Sequence, residues 1–175
     1  WIGATRGAAR LAPGQSWVSV PVGVEGLLDE TVFCIEAEGD VVWFGSVNGV
    51  SRLDGGSWQQ FDFRSMGLGW GGVADLMTDA QGQGWAATLG GGLGVWNGTE
   101  WQFYRTSNSD LPFNTINAIL EVEPGVYWLA VGYPTEPGGL LVRLDRRGGQ
   151  GTERWQVYLP GNSGFLGQEP LAMAL

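Results

Sequence analysis

The chain has 175 residues, enough for one domain with a sizeable core, and a net charge of −9. All nine basic residues are arginines, and this acidic composition argues against binding to nucleic acid or an anionic membrane surface, since both need a basic patch. The absence of histidine excludes Ser-His-Asp and Cys-His nucleophile systems and most zinc sites, so we expect no metal and no cofactor.

The first predicted elements are three strands within residues 1–20 that lack a fourth partner. They are Trp1–Thr5, Gly7–Leu11 and Trp17–Val20, and a tight turn at Arg6-Gly7 separates the first two. Residues 21–30 are predicted to form a loop. This arrangement is typical of the second, third and fourth strands of a four-stranded unit.

Residues 31–61 predict one complete unit of four short antiparallel strands. The apolar run Val32–Ile35 is typical of a strand buried on both faces. It contains the single cysteine, Cys34, which we interpret as a small core residue, and a lone cysteine excludes a disulfide framework. Asn48-Gly49 and Asp54-Gly55 supply the positive φ angles that tight hairpins require. The pattern indicates a meander with no helical periodicity.

Residues 73–104 and 115–158 repeat this meander. The fourth unit contains about eleven more residues than the others, divided between a loop at Tyr133 and the loop Arg146–Glu153. The tail Pro170–Leu175 aligns with Thr115–Leu120, so we predict that it is one more innermost strand and completes the first unit. The chain would then contain 16 strands, enough for four sheets.

Two sets of tryptophans mark the four units. The first set begins the pattern Trp-x-[Gly/Ala] and recurs at spacings of 42, 42 and 43 residues. A period of about 40–45 residues is the signature of four-stranded propeller blades. We expect both sets to pack blade against blade, and the small residue two positions on to leave room for the ring. The sets are Trp1, Trp43, Trp85 and Trp128, and Trp17, Trp58, Trp101 and Trp155.

The sequence therefore predicts an all-β fold, a β-propeller built of four-stranded antiparallel blades. A single domain, residues 1–175, is expected to contain blades at 1–20 plus 170–175, 31–61, 73–104 and 115–158. Three arginines recur at the same place in the third strand, and we interpret them as stacked on tryptophan or solvated. They are Arg10, Arg52 and Arg143.

The repeat resembles the two-component regulator propeller repeat over essentially the whole chain. Trp43–Phe61 carries Trp-x-Gly-[Ser/Thr]-x-x-Gly, Arg-Leu-Asp-Gly and Trp-x-x-[Phe/Tyr], and Leu111–Asn114 carries Leu-Pro-x-Asn before an apolar strand. The segment from Asp79 to Trp85 matches the Asp-x-x-Gly turn of that family. The other units have Ala37 and Val122 at the position of this aspartate.

This resemblance implies an extracytoplasmic ligand-sensing domain of a bacterial sensor kinase, often with seven blades per propeller. The sequence shows only four blades and no kinase, transmembrane or Tyr-rich dimerising module. No apolar run approaches the roughly 18–20 residues of a membrane-spanning helix. The chain opens directly on a strand pattern, so we expect no signal peptide and interpret the sequence as a fragment or a trimmed chain.

Closing a ring with four blades requires about 90° per blade, whereas blades of the resembled family pack at about 45–51°. We therefore expect two chains to join into an eight-bladed homodimer, each C-terminal strand completing the opening blade of the other chain, since two-fold symmetry is the commonest outcome. A compact four-bladed monomer and a fragment of a longer ring are the alternatives.

We expect a non-catalytic binding module that recognises a protein, a small molecule or a glycan. In a propeller, the loops between the second and third strands share one face with the loops that lead into the next blade, and this face surrounds the channel mouth. The candidate contact residues there are Arg6, Asn48, Trp70, Asn108, Asp110, Asn114, Tyr133 and Glu136.

Two other functions stay open. A glycosidase with paired carboxylates needs only two Asp or Glu side chains at the mouth, and Asp75 is notable because it interrupts an inner strand where other units have Phe33 and Ala118. A purely structural self-assembly is the other alternative, and it predicts a mouth without a concave polar pocket. The available carboxylates are Asp29, Glu30, Asp75, Asp110 and Glu169.

Overall fold

The computed structural model describes residues 1–69, 72–132, 139–149, 151–164 and 173. Within these residues, fifteen strands form four separate antiparallel sheets, and strands that follow one another in the chain lie side by side in each sheet. One short helix of four residues follows the last strand. The predicted all-β fold of small antiparallel meanders is confirmed.

The first two sheets are blade 1, with three strands, and blade 2, with four. Blade 1 contains β1 (Ile2–Ala4), β2 (Gly7–Arg10) and β3 (Val18–Val20). Blade 2 contains β4 (Val32–Glu38), β5 (Val41–Ser46), β6 (Gly49–Asp54) and β7 (Ser57–Asp62). Apart from residue 173, the strand predicted at Pro170–Leu175 lies outside the described residues.

The other two sheets are four-stranded. Blade 3 contains β8 (Val73–Thr78), β9 (Gly84–Thr88), β10 (Leu93–Trp96) and β11 (Trp101–Tyr104). Blade 4 contains β12 (Ile116–Glu123), β13 (Val126–Val131), β14 (Leu140–Asp145) and β15 (Arg154–Tyr158), and α1 (Pro160–Ser163) follows it.

Each inner strand, β4, β8 and β12, shifts its register near its start. The shift leaves one residue unpaired, as in a β-bulge, and the strand bends there. Asp75 corresponds in register to Cys34, and not to Phe33 as the sequence alignment predicts, because the connection from the first to the second strand is one residue longer in blade 3 than in blade 2. The shifts lie between Val32 and Cys34, Val73 and Asp75, and Ile116 and Ala118.

Each of the first three signature tryptophans packs against the next blade along the chain. The ring of Trp1 lies 5.3 Å from that of Phe44, and the ring of Trp85 lies 4.2 Å from that of Tyr127. Trp43 reaches two tryptophan rings of blade 3 in the same way. We call this side of each blade its tryptophan face and the opposite side its receiving face.

The expectation about the small residue after the tryptophan needs a correction. A Cβ on Gly45 would lie 2.8 Å from Cγ1 of Val73, and one on Gly3 would lie 2.8 Å from Cγ1 of Val32. Gly3 therefore admits the inner strand of the next blade rather than the ring, and Gly45 admits that strand together with the Cys34 side chain of its own blade. Space for the ring comes from that next blade, since a Cβ on Gly84 would lie 3.0 Å from the indole of Trp43.

Three hydrophobic clusters lie between consecutive blades. One joins blades 1 and 2 around Phe44, one joins blades 2 and 3 around Trp43, and the largest joins blades 3 and 4 around Trp85. Among the described residues no such cluster joins blade 4 back to blade 1. The stack is thus held by contacts between residues about one repeat apart in the chain.

Arginine stacking differs between the blades. Arg10 lies 5.7 Å above the ring of Trp1, and Arg52 lies 5.3 Å above that of Trp43, both on the third strand of the same blade. In blade 3 the position opposite Trp85 is Val95, and the guanidinium over Trp85, at 5.0 Å, comes from Arg146 of blade 4. The cation–π contact on the signature tryptophan of blade 3 is thus made by an arginine of the next blade rather than of the same blade.

Candidate functional site

The loops of the predicted ligand surface lie at the ends where the second strands turn into the third strands. Three exposed apolar residues lie around Gly72 there, two by their side chains and one by its backbone. Their exposed fractions are 55% for Phe33, 37% for Val47 and 42% for Leu89. A Cβ on Gly72 would lie 3.6 Å from Cε2 of Phe33, 3.8 Å from Cδ1 of Leu89 and 3.7 Å from the carbonyl oxygen of Val47. We call Phe33, Val47 and Leu89 the mouth patch.

The local backbone explains why these residues are not buried. Phe33 is the residue left unpaired by the bulge in β4. Its side chain therefore does not follow the regular direction of the strand's side chains and is exposed. Val47 and Leu89 lie in the turns after β5 and β9. The N–H of Leu89 donates to the carbonyl of Gly72 at 2.9 Å, which fixes this turn beside the patch.

A polar clamp holds the turn that carries Val47. The carboxylate of Asp29 accepts hydrogen bonds from the Ser46 hydroxyl at 2.7 Å and from the backbone N–H of Asn48 at 2.9 Å. The side-chain amide of Asn48 donates to the same carboxylate at 2.8 Å. The predicted contact residue Asn48 is therefore occupied in joining the loop 21–30 to blade 2.

Two other predicted residues also hold loops in place. The carbonyl of Asn114 accepts the N–H groups of Gly90 and Gly92, at 3.1 and 2.9 Å, and its side chain accepts the N–H of Thr106. Asn108 accepts the N–H of Arg105 and donates to the carbonyl of Phe103. Both asparagines therefore order the loop between β11 and β12.

The remaining predicted contact residues do not form one constellation in the described structure. Arg6 and Asp110 are exposed, in the turn between β1 and β2 and in the loop before β12. Trp70, Tyr133 and Glu136 lie outside the described residues. Two further exposed apolar residues, Met66 and Phe113, belong to loops that lead into the next blade.

The sequence analysis missed the mouth patch because its candidates in the loops were polar, charged or large aromatic residues, and no aliphatic residue was among them. Phe33 was placed in a continuous buried run, and a bulge leaves no reliable trace in a single repeat. The sequence does contain one signal. Val47 and Leu89 stand in turns between second and third strands, where polar residues are usual. The contact with Gly72 has no signal in the sequence.

The carboxylates considered for a glycosidase are not paired in the described structure. Both oxygens of Asp75 accept backbone N–H groups, from Leu76 and from Ile119 of blade 4, at 3.0 Å each. Burial raises the pKa of this carboxyl above its usual range. Asp29 is held in the clamp, Glu30 and Asp110 are exposed, and Glu169 lies outside the described residues.

Cys34 lies beside Asp75 at the interface of blades 2 and 3. Burial, with a smaller contribution from the charge of Asp75, raises the pKa of its thiol to about 12, so it remains a neutral thiol near pH 7. Its Sγ lies 3.5 Å from the carbonyl oxygen of Val73. The described residues contain no group of three or more Cys, Asp or Glu side chains that could hold a metal ion.

Two clefts between blades 3 and 4 lie away from the mouth patch. One of about 420 Å³ is lined by Gln83 and Arg146 at the opposite ends of blades 3 and 4. One of about 440 Å³ contains Asn108 beside Tyr104, whose hydroxyl donates to Glu153 at 2.6 Å. These clefts flank the interface between two blades and contain none of the mouth-patch residues.

The fold places this chain among proteins built of radially stacked four-stranded blades. It is similar to the extracellular domain of BT3049, described as a hybrid two component system of B. thetaiotaomicron, with a TM-score of 0.59 and 15% identity over 81% of this chain and 19% of that one. It is also similar to the extracellular domain of BT4673 from the same organism, described as a one component system, with a TM-score of 0.55 and 17% identity over 87% and 27%.

At these identities the likeness concerns the fold, and the chain spans about a fifth and about a quarter of the two neighbours. No protein-family model matches the sequence, and no curated protein matches it significantly. Among the described residues, no helix has the length and apolar character needed to cross a lipid bilayer.

Proposed function

We propose that the chain is a non-catalytic binding part of a β-propeller and that its ligand contacts the mouth patch. The observation that carries this proposal is that the exposed side chains of Phe33 and Leu89 both approach Gly72 on the loop face, with the backbone of the exposed Val47 beside them. Large apolar side chains exposed together commonly mark an interaction site, whereas single ones need no explanation.

The order of the surrounding loops supports the proposal. Asp29 fixes the turn of Val47, and the carbonyls of Gly72 and Asn114 fix the turn of Leu89 on both sides. A surface whose backbone is held in this way loses little conformational freedom when it binds, and this raises affinity for a given contact area.

The chemistry of the patch indicates the class of ligand. The phenyl ring of Phe33 and the aliphatic side chain of Leu89 offer an apolar surface beside the exposed Val47, and the acidic chain disfavours anionic ligands. We therefore propose a neutral small molecule or a neutral glycan with an apolar face as the ligand. The fold shared with extracellular domains of bacterial signalling proteins supports an extracytoplasmic sensor role.

A glycosidase has less support. Asp75, a carboxylate whose pKa is raised by burial, accepts two backbone N–H groups and ties blade 3 to blade 4. An acid catalyst would need a free oxygen directed at a substrate. This arrangement favours a structural role for Asp75.

The test is a thermal-shift screen of the 175-residue chain against neutral oligosaccharides and neutral aromatic compounds at millimolar concentration. We expect at least one compound to raise Tm by about 2 °C or more. The same compounds should lose this effect on Phe33→Ser and Leu89→Ser, whose side chains are exposed and whose replacement leaves the cores intact.

Val24→Ser is the matched control, because Val24 is 90% exposed and lies beside the outer strand of blade 2, away from the patch. It should retain the response to every compound that acts on the unsubstituted chain. The proposal is wrong if no compound stabilises the chain, or if both patch variants respond as the unsubstituted chain does.

A further inference from the structure

The bulges of blades 2, 3 and 4 place one unpaired residue each at the same point of the inner strands. Each follows the first residue of its strand that pairs with the second strand. Bulges are common next to active sites, where they redirect a side chain. The three residues are Phe33 in β4, Ala74 in β8 and Asn117 in β12, and we call them the bulge row.

The inner strands that carry the bulge row lie next to one another. The carboxylate of Glu36 on β4 accepts the N–H of Thr78 on β8 at 3.1 Å. The carboxylate of Asp75 on β8 accepts the N–H of Ile119 on β12 at 3.0 Å. Because each inner strand bonds to the next, the bulge row crosses blades 2, 3 and 4 in chain order.

The turns between the second and third strands form a second row beside the first. Its members stand four positions after the signature tryptophans and are Val47, Leu89 and Gly132. The N–H of Leu89 donates to the carbonyl of Gly72, and the N–H of Gly132 donates to that of Thr115 at 3.0 Å. Each acceptor stands one residue before its inner strand, so both turns are fixed in the same way.

The chemistry of the two rows changes from apolar to polar across the blades. Blade 2 presents Phe33 and Val47, which are both exposed. Blade 4 has Asn117 and Gly132 at the same places. Between them blade 3 has Ala74 in the bulge row, so only a methyl group separates the phenyl ring from the amide along that row.

The amide of Asn117 is oriented by one hydrogen bond. Its Nδ2 donates to the carbonyl oxygen of Gly132 at 3.2 Å, and the residue is half-buried. Its Oδ1 accepts no hydrogen bond from the residues that the structure describes. An amide oxygen accepts hydrogen bonds and cannot donate them, so this atom is suited to a donor such as a hydroxyl group.

We propose, on the basis of the function proposed above, that Asn117 determines the specificity of the mouth for its ligand by accepting a hydrogen bond from a ligand hydroxyl group. The apolar part of the ligand lies on Phe33, and the hydroxyl-bearing part lies over blade 4. The ligand class is therefore a neutral glycoside with an apolar substituent. A site that hydrogen-bonds a hydroxyl group rejects analogues without it more strongly than an apolar surface does.

The test compares neutral phenyl glycosides with their fully O-methylated counterparts by titration calorimetry. Both members of a pair keep the phenyl ring, but only the first keeps hydroxyl donors. We expect at least one phenyl glycoside to bind, and its methylated counterpart to bind about tenfold more weakly. Asn117→Leu should weaken binding of the free glycoside about tenfold and change that of the methylated compound by less than about twofold.

Asn97→Leu is the matched control, because Asn97 is an exposed asparagine in the turn between β10 and β11, at the opposite end of blade 3 from the mouth. It should bind both compounds as the unsubstituted chain does. Urea unfolding of each variant separates loss of the contact from loss of the fold. If Asn117→Leu weakens both members of a pair equally, or neither, the role of Asn117 is overturned.

Two further results need no Asn117 variant. An unsubstituted chain that prefers the free glycoside by less than twofold, or that binds no phenyl glycoside, also overturns the role of Asn117. Phe33→Ser should weaken both members of a pair equally, since both keep the phenyl ring. The thermal-shift screen decides the proposed function separately, because a neutral aromatic compound without hydroxyl groups can support it.

Discussion

The carboxylate of Asp79 has one of the densest sets of hydrogen bonds in the described structure. One oxygen accepts the backbone N–H groups of Gln81 and Gln83 at 2.9 Å each. The other accepts the indole N–H of Trp85 at 2.7 Å and the hydroxyl of Tyr127 at 2.9 Å. Because Tyr127 belongs to blade 4, one side chain closes a turn of blade 3 and ties two blades together.

We expect Asp79→Ala to lower the free energy of unfolding by about 3 kcal/mol, since it leaves several buried donors without a partner. Asn97→Ala is the matched control, because the Asn97 side chain also accepts two backbone N–H groups of a turn but is exposed. Its expected cost is about 1 kcal/mol or less. Equal costs for the two variants in urea unfolding would contradict the assigned role of Asp79.

At the scale of the strand, the small residue two positions after each signature tryptophan sets how closely two neighbouring blades approach each other. Gly45 on β5 lies against the side chain of Val73, on the inner strand of blade 3, and against the Sγ of Cys34, on the inner strand of its own blade. Its backbone does not need a left-handed conformation, so the requirement for glycine there is spatial. Ala87 and Ala130 occupy the same position in blades 3 and 4 and are fully buried.

We expect Gly45→Ala to cost about 2 kcal/mol of stability, because the new methyl group overpacks the interface between blades 2 and 3. Gly72→Ala is the control, since a Cβ there would make only ordinary van der Waals contacts. It should change the unfolding free energy by less than about 0.5 kcal/mol. A neutral Gly45→Ala in thermal or urea unfolding would show that the blades can separate without cost.

At the scale of the whole molecule, buried groups that ionise at alkaline pH connect stability to pH. Burial raises the pKa of the Cys34 thiol from 9.0 to about 12. Burial, together with the hydrogen bond to Glu153, raises that of the Tyr104 hydroxyl from 10.0 to about 12. Burial and the neighbouring Asp79 also raise the pKa of Tyr127. The folded protein therefore holds these protons where the unfolded chain releases them.

We expect the free energy of unfolding to fall as the pH rises from about 9 towards 12, since a raised pKa stabilises the fold fully only below the unfolded value. Urea unfolding at several pH values measures the slope. Cys34→Ala and Tyr104→Phe each remove one titrating group and should make the slope shallower. An unchanged slope in both variants would show that other groups cause the alkaline loss.

The extent of prediction from sequence differs between the fold and the candidate site. The strands and hairpins are local, so alternation and Asn-Gly or Asp-Gly turns predicted them closely. The patch was missed because Phe33 becomes exposed through a bulge, and Leu89 meets Gly72 through a contact that the chain order does not contain. Asn48 and Asn114 have the polar character expected of ligand contacts, yet they hold loops together.

The sequence by itself determined the repeat, the four-stranded meander and the all-β architecture, because a period of 42 or 43 residues and its turns are properties of each unit alone. Only the tertiary structure decided which faces are buried. Phe44 and Ile2 occupy equivalent places in equivalent strands, but one is covered by Trp1 and the other is exposed. Burial depends on whether a neighbouring blade is present, and no residue of a single repeat encodes its neighbour.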